Sequence, residues 1–172
     1  LRKFGPQCPP TLVVQHVNAR FAPAIAESLD AASEAKVVLA ESDIKVQPGH
    51  VYFAPGGDKH LMLAPSGEDG YRTVLRPGEL VSGHRPSVDA LFHSVARLEV
   101  PNTTGILLTG MGNDGALGLL AMARAGARTI AQDEQSCVVF GMPRAAIDLG
   151  AAEIVAPLEQ IADHALGEAT PA

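Results

Sequence analysis

The sequence has few cysteines, no long apolar run and no long basic run. Cys8 and Cys137 are too few and too widely separated for a disulfide framework or a zinc knuckle, so we predict two reduced thiols. No apolar run approaches the roughly 20 residues of a membrane-spanning helix, and no signal-peptide pattern opens the chain. The formal net charge of -6, without a basic cluster, argues against a nucleic-acid partner. We therefore predict a cytoplasmic domain that is not inserted in a membrane.

Length and composition are those of one folded domain. The chain has 172 residues, and 47% of them are apolar, which is enough for a sizeable core and excludes a disordered chain. We therefore expect residues 1–172 to belong to a single domain.

The most informative stretch lies about two-thirds of the way along the chain. The apolar run Ile106–Leu108 predicts a buried parallel strand, and a helical pattern follows at Ala116–Ala125. The connection between them is rich in glycine, at Gly110, Gly112 and Gly115. A strand, a glycine-rich turn and a helix place the turn at the carboxyl edge of a sheet, where open α/β folds bind ligands.

Spacing alone leaves three interpretations of this turn open. GMGNDG has the form G-x-G-x-x-G, and Asp133 and Glu134 follow at about the distance expected of a dinucleotide-binding fingerprint. Asp114 is evidence against that interpretation, because it would bring a negative charge close to the ligand's pyrophosphate. Asp114 is instead a candidate for orienting a catalytic histidine. The simplest alternative is that it only caps the helix that follows.

The rest of the chain alternates between strand and helix patterns. Strands are predicted at Thr11–Gln15, Val37–Ala40, Thr129–Gln132 and Glu153–Val155, and helices at Phe21–Ala32, Val88–Leu98 and Leu158–Leu166, with a further helix beginning at Met142. Between residues 50 and 76, short strand patterns are separated by the turns Gly56–Asp58 and Ser66–Gly70. The predicted fold is α/β: a doubly wound, mainly parallel sheet with helices on both faces, and a short antiparallel β excursion near residues 50–76.

Two polar residues follow predicted parallel strands in corresponding positions. His16 follows the first strand and Asp114 the strand at Ile106–Leu108, so both are expected at the carboxyl edge of one sheet. A carboxylate that holds a neutral imidazole is the general-base half of a nucleophilic triad, and the backbone of the glycine-rich turn offers donors for an oxyanion. An ordinary strand-end histidine remains the alternative for His16.

No nucleophile is evident in the sequence. Ser87, Ser94, Ser136 and Cys137 do not follow a parallel strand in a sharp turn, as an activated serine usually does. The natural position for the nucleophile is the end of a strand upstream of Leu1.

The remaining histidines show no spacing typical of metal ligands. They are His50, His60, His84, His93 and His164. We therefore predict no metal site and no cofactor.

Several long motifs resemble the C-terminal catalytic domain of the chemotaxis protein-glutamate methylesterase family. They are VVQH at 13–16, PGHVYFAPGGDKH at 48–60, HRPSVDALFHSVA at 84–96, TGMGNDGALG at 109–118 and AQDEQSCVVFGMPRAAI at 131–147. The resemblance runs in unbroken order from about Pro10 to the last helix.

The resemblance implies a doubly wound α/β fold with a Ser-His-Asp triad. His16 resembles the catalytic histidine, Asp114 the triad aspartate, and the backbone N–H of Met111 the oxyanion donor. The implied reaction is hydrolysis of glutamate γ-methyl esters on the cytoplasmic helices of chemotaxis receptors, with deamidation of receptor glutamines in many members. No metal or cofactor is implied.

Two parts of the family pattern do not occur in residues 1–172. One is the serine, which the family carries in a G-A-S-T-G-G turn, and the other is the regulatory receiver domain that usually precedes the catalytic domain. We therefore predict that residues 1–172 alone are inactive on methylated receptors. A dinucleotide-binding module and a receptor-binding domain without catalysis remain the alternative functions.

Overall fold

The computed structural model describes residues 1–67 and 70–167. Within them the chain forms the strands β1 (Thr11–Val13), β2 (Lys36–Leu39), β3 (His50–Phe53), β4 (Lys59–Pro65), β5 (Tyr71–Pro77), β6 (Thr104–Leu107), β7 (Arg128–Gln132) and β8 (Ile154–Ala156). The helices are α1 (Ala22–Ala31), α2 (Val88–Ala96), α3 (Ala116–Arg124), α4 (Met142–Asp148) and α5 (Leu158–Leu166). The chain divides into two compact units, Leu1–Ser87 and Val88–Ala172.

The first unit contains a parallel sheet with the strand order β1-β3-β2. Val51 of β3 is aligned with Thr11 on one side and with Val37 on the other. The inclusion of residues 50–53 in an antiparallel excursion was therefore wrong. Three of the four β3 residues are buried, because the strand lies in the middle of the sheet, and the apolar sequence VYF meets that demand.

The first strand is shorter and more exposed than its pattern predicts. β1 ends at Val13 rather than at Gln15, and all three of its residues are only half-buried. Among the described residues it pairs with β3 alone, which makes it an edge strand of this sheet. Residues Leu1–Phe4 form a single turn closed by the hydrogen bond from Phe4 N–H to the Leu1 carbonyl, at 2.8 Å.

The antiparallel excursion is a hairpin of β4 and β5. Its register aligns Lys59 with Pro77 and Pro65 with Tyr71. The excursion therefore begins at residue 59, after the turn at Gly56 and Gly57, which both adopt positive φ. Of the predicted turn at 66–70, residues 68 and 69 lie outside the described residues.

The second unit contains the parallel sheet β6-β7-β8 with helices on both faces. Ile106, Ile130 and Ile154 are aligned across the three strands and pack with Ile161 of α5. On the opposite face, a Cβ at Gly105 would meet side chains of α3, which shows how closely that helix approaches the sheet.

The α/β class is confirmed, with one difference in sheet continuity. Among the described residues, the parallel strands form two separate three-stranded sheets, one in each unit. The strand and helix bounds predicted for β7 and α5 agree closely with the observed ones. None of the helices in the described part of the chain is both long enough and apolar enough to cross a bilayer.

Candidate active site

The turn between β6 and α3 has a backbone that requires glycine. Gly112 and Gly115 adopt φ of 88° and 90°, a conformation that other residues rarely adopt. Gly115 is also confined, because a Cβ there would lie 2.7 Å from side-chain atoms of both Leu107 and Val88. Gly112 and Gly115 are therefore explained by backbone conformation and, at Gly115, by packing.

The peptide bond between Gly110 and Met111 is fixed by the start of α4. The Gly110 carbonyl accepts hydrogen bonds from the backbone N–H of Gly141 at 3.1 Å and of Met142 at 2.8 Å. In a planar trans peptide the next N–H points opposite to the carbonyl, so the Met111 N–H points away from α4. Within the described part of the chain this N–H donates to no other group, and Met111 is 80% exposed. A fixed, available N–H is what an oxyanion donor requires.

The other side of this turn is held by Gln132, a residue that none of the sequence motifs indicated. Its fully buried side chain accepts a hydrogen bond from Thr109 N–H at 2.8 Å and donates one to the Ser136 carbonyl at 2.8 Å. The Thr109 hydroxyl also donates a hydrogen bond to the Val139 carbonyl at 3.0 Å and accepts one from the Val139 N–H at 2.9 Å. A glutamine directly after the apolar residues Ile130 and Ala131 at the end of β7 is the sequence signal that could have found it, because a buried amide needs partners.

Asp114 caps a helix, but not the one that follows it in sequence. The residue is fully buried, and its carboxylate accepts the backbone N–H of Val88 at Oδ2 (2.8 Å) and of Asp89 at Oδ1 (3.0 Å). These are the first two residues of α2, where unpaired N–H groups and the helix dipole favour a negative charge. The N-cap position of α3 is Gly115, without a side-chain cap. Simple capping of α3 by Asp114 was therefore wrong.

His16 lies three residues beyond the end of β1, in the first unit. Its imidazole stacks face to face on that of His84, with ring centroids 3.7 Å apart and an interplanar angle of 3°. This partner was not expected from the sequence, where His84 was considered only as a metal ligand.

The predicted site residues are distributed over both units. Met111 and Asp114 lie on one turn of the second unit, whereas His16 belongs to the first. Among the described residues β1 pairs with β3, and β6 pairs with β7, so the expectation that His16 and Asp114 follow strands of one sheet stays a prediction. Their joint role in a triad stays a prediction.

Comparisons with known proteins decide the family. The CheB methylesterase family model matches residues 1–165. A Bordetella bronchiseptica protein described as a protein-glutamate methylesterase/protein-glutamine glutaminase is 54% identical over 166 residues, which cover 96% of this chain and 47% of the relative. A Caulobacter vibrioides protein with the same description, numbered 1, is 52% identical over 153 residues, covering 89% of this chain and 44% of the relative. This chain belongs to the CheB methylesterase family.

A solved structure supports the same assignment. The crystal structure of the Thermotoga maritima CheB methylesterase catalytic domain superposes with a TM-score of 0.92 at 35% identity, covering 98% of this chain and 88% of that one. The chain spans about half the length of the curated relatives it matches.

In this chain of the CheB methylesterase family, two of the serines considered as nucleophiles already donate hydrogen bonds through their hydroxyl groups. The Ser94 hydroxyl donates to the Leu91 carbonyl at 2.6 Å, and the Ser136 hydroxyl donates to Asp133 at 2.7 Å. Burial raises the pKa of the Cys137 thiol, so less of the reactive thiolate forms near neutral pH. Cys8 and Cys137 are both free cysteines in the described part of the chain.

The dinucleotide interpretation finds no support in the geometry of the turn. Asp133, which would bind a ribose hydroxyl in that interpretation, instead accepts the backbone N–H and the hydroxyl of Ser136. Asp114 brings a buried carboxylate into the turn itself. In the described part of the chain, no three His, Cys, Asp or Glu side chains lie close enough to hold a metal ion.

Proposed function

We propose that this chain is the catalytic domain of a protein-glutamate methylesterase. It hydrolyses glutamate γ-methyl esters on the cytoplasmic helices of chemotaxis receptors, releases methanol, and also deamidates receptor glutamines. The relatives named for these two activities support both parts of the proposal. The active protein works in the cytoplasm, and a regulatory receiver domain precedes the catalytic domain in the same protein.

The observation that carries this proposal is the construction of the turn after β6. It holds a fixed, available N–H at Met111 and, three residues later, a buried carboxylate whose two oxygens are oriented by α2. An oxyanion donor and an orienting carboxylate are two of the groups that acyl transfer needs.

In the proposed mechanism His16 is the general base. It takes the proton of a serine hydroxyl as the serine oxygen attacks the ester carbonyl, and Asp114 holds the imidazole in the correct tautomer and stabilises the imidazolium. The Met111 N–H donates to the oxyanion of the tetrahedral intermediate. His16 then protonates the leaving methoxide, so that methanol departs and an acyl-serine remains.

Hydrolysis of the acyl-serine completes the cycle with the same groups. His16 takes a proton from water, the resulting hydroxide attacks the acyl carbonyl, and the serine oxygen regains a proton from His16. The products are a glutamate side chain and the free serine. A glutamine substrate follows the same sequence, with ammonia as the leaving group.

We infer that the serine lies outside residues 1–172. The serines considered as candidates are held in loops or on a helix, and Ser94 and Ser136 are already engaged in hydrogen bonds with neighbouring groups. The complete protein is therefore expected to be active, and residues 1–172 alone are not.

The test compares the complete protein with residues 1–172 on receptor membranes that carry radiolabelled methyl esters. We expect labelled methanol from the complete protein and none above background from residues 1–172, whose folding is checked by a cooperative thermal transition. Wild-type activity from residues 1–172 would contradict the inference about the serine. Receptor binding without methanol release by the complete protein would favour the non-catalytic receptor-binding domain.

The oxyanion turn provides a test in which none of the triad residues is substituted. Gly141 has an ordinary φ of -107°, but a Cβ there would lie 2.6 Å from the Gly110 carbonyl oxygen and 2.9 Å from the Gly112 nitrogen. In Gly141→Ala the turn must move, and the Met111 N–H moves with it. We expect kcat to fall about a hundredfold, the usual loss for one oxyanion donor, with KM unchanged. Steady-state kinetics on methylated receptor measure both constants.

The matched control is Gly5→Ala. Gly5 has no positive φ, and the nearest atom to an added Cβ is a Glu34 carboxylate oxygen at 3.9 Å. This variant adds the same methyl group without displacing the backbone, so its kcat should equal that of the wild type. Equal kcat values for the two alanine variants would contradict the proposed role of the Met111 N–H as oxyanion donor.

A further inference from the structure

We propose that His84 is a positioning residue that sets the orientation of the His16 imidazole. The proposal concerns a ring-on-ring contact within the first unit, and its consequence for catalysis rests on the proposed function of His16. His84 itself touches no reacting atom in this proposal. It acts through His16.

The first argument is the geometry of the stack. The rings are 3.7 Å apart at their centroids and parallel within 3°, which is full face-to-face contact. The torsion that turns an imidazole about its bond to Cβ has broad wells, so rotamer preference alone does not fix the plane of the ring. A flat neighbour at contact distance restricts that rotation.

The second argument is that the backbone of His84 is itself held in a tight turn. Val81 and His84 form an antiparallel bridge, with hydrogen bonds from His84 N–H to the Val81 carbonyl at 2.9 Å and in the reverse direction at 3.1 Å. Ser82 and Gly83 between them both have positive φ, 50° and 78°, as two-residue hairpin turns of this kind require.

A buried histidine ties together the segments on either side of this turn. His60 accepts the backbone N–H of Ser87 at Nδ1 (3.2 Å), so its Nε2 carries the proton and donates to the Glu79 carbonyl at 2.8 Å. The His60 side chain is buried, so neither hydrogen bond competes freely with water. Residues 79–87 thus form a loop whose two ends are both held by His60. This loop carries His84.

For the proposed reaction, the consequence is that the ring of the general base, His16, is restricted in its rotation. His16 must present one ring nitrogen to the serine and later to the leaving group, and a small misorientation of such a group lowers the rate strongly. The stack restricts the ring without using either nitrogen, because contact is through the faces. The stack with His84 therefore places no demand of its own on the two nitrogens of His16.

The test compares His84→Phe, which keeps a planar ring next to His16, with His84→Leu, which keeps a bulky side chain but no ring. NMR spectra of residues 1–172 report the His16 ring protons directly, because a ring stacked on them shields them. We expect these resonances to move downfield in His84→Leu and upfield in His84→Phe, whose ring current is larger. His164→Ala, which removes an imidazole from α5, should leave them unchanged.

Kinetics of the complete protein give the second readout. We expect His84→Leu to lower kcat roughly tenfold with KM unchanged, and His84→Phe to stay within about twofold of the wild type. Identical His16 resonances in all variants would overturn the proposal, and so would the expected shifts without any change in kcat. If the wild type hydrolyses no ester, the proposed function fails, and the resonance shifts alone decide whether His84 orients His16. If His84→Leu does not fold, the upfield shift in His84→Phe decides.

Discussion

Asp114→Asn should lower kcat for receptor demethylation by about four orders of magnitude, while receptor binding is retained. This is the scale of loss when the triad aspartate of a serine protease becomes asparagine, because the amide favours the wrong histidine tautomer and does not stabilise the imidazolium. Single-turnover release of labelled methanol measures the chemical step. A sedimentation assay with receptor membranes measures binding separately.

The same substitution should also destabilise the domain, because Asp114 has a structural role. Its two oxygens accept the N–H groups of Val88 and Asp89, and asparagine would turn its own N–H₂ group toward one of them. One buried donor then loses its acceptor, which costs about 1–3 kcal/mol in the free energy of unfolding. Urea unfolding measures this cost, and activity must be compared at temperatures where both proteins are folded.

The control for lost charge is Asp133→Asn. A single oxygen of Asp133 accepts both the N–H and the hydroxyl of Ser136, and the amide oxygen of asparagine can do the same. This variant should be close to wild type in stability and in kcat. Similar activity of the two asparagine variants would show that Asp114 has only its structural role at α2.

The elements that the sequence predicted well are those whose pattern is local. Thr129–Gln132 and Leu158–Leu166 carry their periodicity within one segment, and the observed β7 and α5 nearly coincide with them. The strand-turn-helix unit at β6 and α3 was also predicted from neighbouring residues. In each case the information that specifies the element lies within about ten residues.

The misassigned β3 shows what local patterns miss. HVYF is flanked by glycine and proline turns, and these made the segment resemble the hairpin strands that follow it. Its true partners are β1 and β2, and Val51 is aligned with Thr11, far away in sequence. Parallel strands are joined by a long crossover and not by a tight turn. The sequence near each strand therefore carries no signal of which strand it pairs with.

The candidate site shows the same division. The motif GMGNDG pointed to the turn, and family resemblance gave Met111 and Asp114 their expected roles. The structure adds physical reasons for the spacing: the Gly110 carbonyl binds the start of α4, and Asp114 reaches the start of α2. Neither partner could be found from the sequence, because each belongs to a helix that begins about 25 or 30 residues away, at Val88 or Met142.

His16→Gln should have the largest effect of all, lowering kcat by about six orders of magnitude. Removal of the histidine from the triad of subtilisin costs on the order of 10⁶ in kcat, because the serine loses its base and the leaving group its acid. Glutamine cannot exchange a proton at neutral pH, but it keeps polarity and much of the volume. Methanol release should therefore be detectable only at high enzyme concentration over hours, while receptor binding should persist in the sedimentation assay.

The double variant His16→Gln/Asp114→Asn tests whether the two residues act as a unit. If Asp114 works only through His16, it has no catalytic effect left once His16 is gone, and the double variant should be as slow as His16→Gln alone. Independent roles predict instead that the two losses multiply. To keep the comparison measurable, both proteins are assayed at high enzyme concentration over hours. A further large loss of rate on adding Asp114→Asn, in protein that is still folded, would contradict the proposed triad even if each single variant were inactive.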